Sequence, residues 1–131
     1  MDYPEKSPYW AALDAWGISQ QEYIDTPVSE LFSEVEGNIY KSKSKAPDSG
    51  IIIFCRGNKF GYSVAVWNSI GDGVKWTPCV QATIFENAEL AKEAAIAKFL
   101  EYAKNNVLIR WANRLRHGPR KPQKPQQMSL F

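Results

Sequence analysis

The spacing of hydrophobic positions changes period twice along this chain. From residue 8 to residue 37 it is helical, from 51 to 86 it alternates, and from 88 to 116 it is helical again. In the first stretch Ser7-Pro8 supplies an N-cap and a first helical residue. Tyr9, Leu13 and Trp16 mark an inner face, and Gly17 ends the helix. Ser19 and Glu22 have capping-box spacing for a brief second helix. Thr26-Pro27 opens a third predicted helix, which Gly37 stops. It carries Val28, Leu31, Phe32 and Val35 at i, i+3, i+4 and i+7 toward the core.

A polar loop, residues 41–50, introduces the alternating stretch. Ile51 to Arg56, Phe60 to Asn68 and Trp76 to Glu86 are rich in β-branched and aromatic residues and are predicted strands. Gly57-Asn58 is a two-residue hairpin turn, and Gly71-Asp72-Gly73 separates the second strand from the third. The pattern predicts a three-stranded antiparallel meander with one face covered by helices. Asn87 is an N-cap for a long helix from Ala88 to Lys104. Ala91, Ala94, Ala95 and Ala97 allow close packing on the sheet, with Leu90 and Phe99 as larger plugs. After a break at Asn105-Asn106, Val107 to Arg116 is amphipathic. Val107, Leu108, Trp111 and Leu115 lie on one side, and Arg110, Arg114 and Arg116 take much of the rest. The expected architecture is therefore a single α+β domain over residues 1–117, with a tail over 118–131.

Composition narrows the setting. A chain of 131 residues with 44% hydrophobic content suits one soluble core. The longest apolar run, Ile51 to Cys55, is too short to span a membrane. No basic patch precedes an apolar stretch at the N-terminus, so no signal peptide is expected. Cys55 and Cys79 lie in β-patterned runs without metal-ligand spacing, which predicts reduced thiols and a cytoplasmic setting. The net charge of +2 hides a polarity: residues 1–36 carry net −7 and residues 102–131 carry net +7. Such asymmetry points to nucleic-acid or protein partners, or to pairing between the two ends.

The tail holds the most specific signal. The stretch GPRKPQKPQ, residues 118–126, has three prolines, three basic residues and no apolar side chain, and so predicts a stiff solvated spacer. It leads to Gln127, Met128, Ser129, Leu130 and Phe131. These five residues resemble the pentapeptide with which bacterial replication and repair proteins dock onto the β sliding clamp: Gln, an aliphatic residue, Ser or Asp, then Leu-Phe. The resemblance implies that Leu130 and Phe131 fill the clamp's apolar pocket while Gln127 hydrogen-bonds at its edge. Met128 stands where Leu is commoner and is a flexible apolar residue of similar size. A protein tethered in this way is expected to be an accessory factor of DNA replication or repair. The alternative is a phage- or plasmid-type modulator that competes with host polymerases for the clamp.

DNA is the second expected partner. Lys104, Arg110, Arg114, Arg116, Arg120, Lys121 and Lys124 form a carboxylate-free segment suited to weak, sequence-independent, salt-sensitive phosphate contacts. Phe54, Tyr62, Trp67 and Trp76 are candidates to stack unpaired bases on an open sheet face, or else plain core residues. Residues 27–103 are also similar in element order to a double-stranded-RNA-binding domain. Asn87-Ala88-Glu89 stands where that family has paired lysines, so the order of elements carries over and no RNA-binding residue does.

Catalysis finds little support. His117, the one histidine, has no nucleophile beside it in the sequence, and Cys55 and Cys79 have no histidine partner. Glu34 and Glu36, followed by Lys41, are the nearest approach to a metal-nuclease pattern, but at a helix end they would point in different directions. The glycines match no phosphate loop or dinucleotide turn. No catalytic residue, metal or cofactor is expected.

Overall fold

A computed structural model describes residues 8–77 and 84–116, without the side chains of residues 8–11 and 28. Three short helices, α1 (Pro8–Trp16), α2 (Gln20–Asp25) and α3 (Val28–Leu31), precede four strands. These are β1 (Ser33–Tyr40), β2 (Ser49–Arg56), β3 (Lys59–Ser69) and β4 (Asp72–Trp76), and α4 (Ala88–Tyr102) and α5 (Asn106–Arg116) follow them. The strands form one antiparallel meander in the order β1-β2-β3-β4. The α+β class is as expected, but among the described residues the sheet has four strands rather than three.

Local chemistry accounts for several boundaries. Gly17, at φ 76°, closes α1: its N–H reaches the Asp14 carbonyl at 3.0 Å, and the Ile18 N–H reaches the Leu13 carbonyl at 2.9 Å. This is a Schellman motif, completed by the packing of Ile18 and Leu13 in one apolar cluster. The Ser19 hydroxyl accepts the Glu22 N–H at 3.0 Å, and the Asn87 side chain accepts the Leu90 N–H at 2.9 Å. Glu22 does not close a capping box; its carboxylate turns to Arg56 at 3.1 Å. Gly57, at φ 63°, makes the two-residue turn between Arg56 and its partner Lys59.

One predicted helix is corrected, and one strand is found where a turn was expected. The helix expected from Thr26 to Gly37 stops at Leu31, and residues 33–40 are β1, paired with β2. Phe32 turns the chain inward to pack on Trp16, with ring centroids 4.9 Å apart. Val35, expected to face the core, is the extra residue of a β-bulge between Glu34 and Glu36 and is 45% exposed. A fourth strand, β4, lies at 72–76, where Gly71-Asp72-Gly73 was expected to separate strands; of the strand expected over 76–86, residues 78–83 lie outside the described residues and Phe85 bridges to Phe60. The Phe85 N–H donates to the Phe60 carbonyl at 2.8 Å and its carbonyl accepts the Phe60 N–H at 3.1 Å. Gly73 belongs to the strand rather than a turn, because a Cβ there would lie 2.2 Å from the Trp67 ring. Residues 78–83 (Cys79 among them), His117 with the expected domain boundary, and the tail lie outside the described residues.

The core has two parts, one on each face of the sheet. Ile51 and Ile53 of β2 and Tyr62, Val64 and Val66 of β3 pack under Ala91, Ala95, Ile96 and Phe99 of α4 and Leu108 and Ala112 of α5. Ala91 and Ala95 bring α4 close to the sheet, whereas Ala97, also expected to pack there, is exposed. Leu90 and Val107, expected inside, are 44% and 47% exposed, because the inner faces are centred on Ala91–Ala95 and Leu108–Ala112. On the opposite face Leu13, Trp16, Ile18, Leu31 and Phe32 cover one end of the sheet and meet Phe54. Gly61 admits this second cluster, since a Cβ there would lie 2.5 Å from Trp16. Beyond Phe54 the same face holds an apolar hollow of about 330 Å³ bordered by Ile39, Gly50, Ile52 and Ala65. Among the described residues no helix is long and apolar enough to cross a membrane.

Candidate functional site

The basic segment begins where α4 gives way to α5, and a strand residue holds that corner. Asn68 of β3 donates to the Tyr102 carbonyl at 3.0 Å and accepts the Lys104 N–H at 2.7 Å. The Asn105 side chain caps α5 by accepting the Leu108 N–H at 2.9 Å. Leu108 and Ala112 are buried, and Trp111 lies 5.2 Å from Phe99 and 6.1 Å from Tyr40 between ring centroids. Leu115 packs on the same core. With its inner face docked, α5 must present its charges outward.

Arg110, Arg114 and Arg116 are all exposed, and among the described residues none forms an ion pair. In the described part of the acidic N-terminal third, Glu22 and Glu36 pair instead with Arg56 and Lys92. The three arginines do not share one face, however. At 3.6 residues per turn Arg110 and Arg114 lie in a stripe with Val107, whereas Arg116 falls about half a turn away. Arg116 borders a groove of about 410 Å³ with Glu36, Glu89 and Glu93, and donates to the Asn113 side chain at 3.4 Å. Lys104 is engaged by Asp72 at 3.3 Å. Of the expected phosphate contacts, Arg110 and Arg114 remain together and uncommitted. Arg120, Lys121 and Lys124, and the peptide Gln127, Met128, Ser129, Leu130 and Phe131, lie outside the described residues.

The loop joining β1 to β2 lies beside the start of α5, a placement that no local pattern signals. Asp48 there accepts the Ser42 N–H at 2.8 Å and meets Lys41 at 3.4 Å. The Ser42 N–H and Lys41 together outweigh what desolvation there is and hold the Asp48 carboxyl below its ordinary value. Lys43 and Lys45 are exposed and, among the described residues, meet no carboxylate. A cleft of about 240 Å³ separates this loop from α5, with Lys43 and Ser44 on one wall, Asn105 and Val107 on the other, and Trp67 and Asn68 also lining it.

The four candidate stacking aromatics divide between the two faces of the sheet. Tyr62 is 6% exposed in the main core, where burial pushes its hydroxyl upward in pKa. Trp76 packs on Tyr102 at 4.6 Å, with the Lys98 ammonium 5.2 Å over its ring. Phe54 packs with Phe32, at 6.3 Å between centroids. Trp67 crosses Gly73 and is half-buried. They therefore form no common platform for bases.

Glu34 and Glu36 do point apart, though the cause is the bulge in β1 rather than a helix end. Glu34 pairs opposite Phe54 and lies against Gly37, while Glu36 pairs opposite Ile53 on the α4 side. Burial raises the Glu36 pKa. The Lys92 ammonium at 2.7 Å and the Asn38 amide at 2.8 Å outweigh burial and hold the carboxyl below its ordinary value. Among the described residues no three of His, Cys, Asp and Glu converge as metal ligands. No protein-family model matches the chain, and neither curated proteins nor solved structures give a match.

Proposed function

We propose that this chain is a non-enzymatic accessory protein of bacterial DNA replication or repair, tethered to the β sliding clamp through Gln127 to Phe131. In this reading the basic segment that begins in α5 makes weak, sequence-independent contacts with DNA. The observation that carries the reading is the order of residues after α5: a spacer without apolar side chains, then a Gln-Met-Ser-Leu-Phe peptide with two large apolar residues. The outward display of Arg110 and Arg114 supports the DNA half. Ordering five residues costs on the order of 5–10 kcal/mol, so the tether is expected to be of modest affinity.

The test is capture by immobilised clamp of the full chain, of a chain lacking residues 127–131, and of Leu130→Ala with Phe131→Ala. Only the full chain should be retained, and the double variant should melt with the parent. Equal capture of all three would refute the tether. A melting temperature several degrees lower in the double variant would place Leu130 and Phe131 in the domain's own core. Gln127→Ala should weaken capture less, because a hydrogen bond at the edge contributes about 0.5–1.5 kcal/mol. Primer extension then separates the two roles, since an accessory factor leaves processive synthesis intact and a competitor suppresses it.

A further inference from the structure

We infer that the loop joining β1 to β2 and the Arg110–Arg114 stripe of α5 form one strip that binds a nucleic-acid phosphodiester backbone. Lys43 and Lys45 are contacts in this strip beside the two arginines. The inference rests on the DNA half of the reading above and moves that contact away from the tail. The loop carries three lysines and one carboxylate, and that carboxylate, Asp48, is occupied by Lys41 and the Ser42 N–H. Among the described residues Lys43 and Lys45 are left as uncompensated charge, and Lys43 lines the cleft that Val107 closes on the α5 side. Val107, Arg110 and Arg114 continue from that cleft along one exposed stripe.

The dimensions suit a nucleic-acid strand. Residues 107 to 114 advance about 10 Å along a helix, and Arg110 to Arg114 about 6 Å. One strand of a duplex advances about 3.4 Å per phosphate along the duplex axis, so a stripe laid parallel to that axis spans about three phosphates and the cleft extends it. Among the described residues no carboxylate lines that cleft; Glu36, Glu89 and Glu93 border the flank that holds Arg116, and Asp72 is held by Lys104. A polyanion on the strip therefore meets four basic groups without facing those acids. Arg116 and Lys104 fall outside it.

The test uses the full chain and two labelled oligonucleotides of equal length, one single-stranded and one duplex, titrated between about 50 and 200 mM salt. Lys43→Gln with Lys45→Gln should reduce the slope of log K against log salt by about 1.4 for the single strand and about 1.8 for the duplex. Arg110→Gln with Arg114→Gln should do the same, whereas Lys104→Gln with Arg116→Gln should leave the slope unchanged. Clamp capture and melting temperature of the lysine variant should match the parent, as both substitutions are at exposed loop positions. A parental slope in the lysine variant, with a reduced slope in the Arg110–Arg114 variant, would overturn the strip and leave the DNA reading standing. If the parent binds neither oligonucleotide at about 50 mM salt, the DNA reading fails and the strip with it. The clamp tether is judged separately by capture.

Discussion

Gly61→Ala tests whether the N-terminal helices are part of the folded unit or an accessory to it. The added methyl would lie 2.5 Å from Trp16 Cζ2 and 2.8 Å from Cη2, where ordinary contacts begin near 3.4 Å. The indole must yield by close to an ångström. It has little room to do so: Trp16 is 2% exposed, lies 4.9 Å from Phe32 between ring centroids, and shares its cluster with Leu13, Ile18 and Leu31. Overpacking of this kind costs about 1–3 kcal/mol. At about 3–5 °C per kcal/mol for a chain of this size, the melting temperature should fall by about 3–15 °C. Urea denaturation followed by circular dichroism should give the same free energy with an unchanged m-value. In a Trp16→Phe background, which removes the clashing atoms, the same methyl should cost less than half as much. If Gly61→Ala melts within a degree of the parent, or costs as much with Phe at position 16, the packing of α1 on the sheet is misassigned.

Three other perturbations probe the side of the sheet that α4 and α5 cover. Trp111→Ala should cost about 3 kcal/mol, the lower end for a buried tryptophan because its ring keeps some exposure. Amides after Asn106 should then exchange faster, and a variant that melts and exchanges like the parent would mean α5 is not docked. The Glu36 carboxyl is depressed in the fold, so its stabilisation is present above the unfolded glutamate value of about 4.3 and is lost as pH falls through the lower folded value. Glu36→Gln should therefore be less stable than the parent at about pH 6 and converge with it toward about pH 3. The opposite sign holds for Tyr62: its raised pKa adds stability below about pH 10 that is lost as pH rises through the folded value. Tyr62→Phe should accordingly flatten the alkaline decline, and an unchanged alkaline limb would count against its burial.

What could be read from the sequence was whatever neighbouring residues determine. The caps at Ser19 and Asn87, the α1 stop at Gly17 and the Gly57-Asn58 turn each depend on a few adjacent groups, and all are present. β1 was hidden because Val28, Leu31, Phe32 and Val35 fit a helical period by accident, and because the bulge at Val35 breaks the alternation that would have betrayed a strand. β4 was hidden because Gly71-Asp72-Gly73 reads as a turn, whereas Gly73 answers to the ring of Trp67 on the neighbouring strand. The arginines of α5 were legible as a charged face. Their division into two flanks, the loss of Lys104 to Asp72 and the nearness of Lys43 depend on groups distant in sequence, which no local pattern carries.

The irregular borders of the sheet bear on self-association. β1, at one edge, is kinked by the bulge at Val35 and has acidic Glu34 and Glu36 on either side of it. At the other edge the register of β4 shifts between Trp67 and Ser69 of β3. Among the described residues, then, neither border offers a long, straight row of free N–H and C=O groups on which a second copy could add a strand, and β4 is only five residues long. The same devices that obscured these strands in the sequence work against edge-to-edge polymerisation of the folded protein.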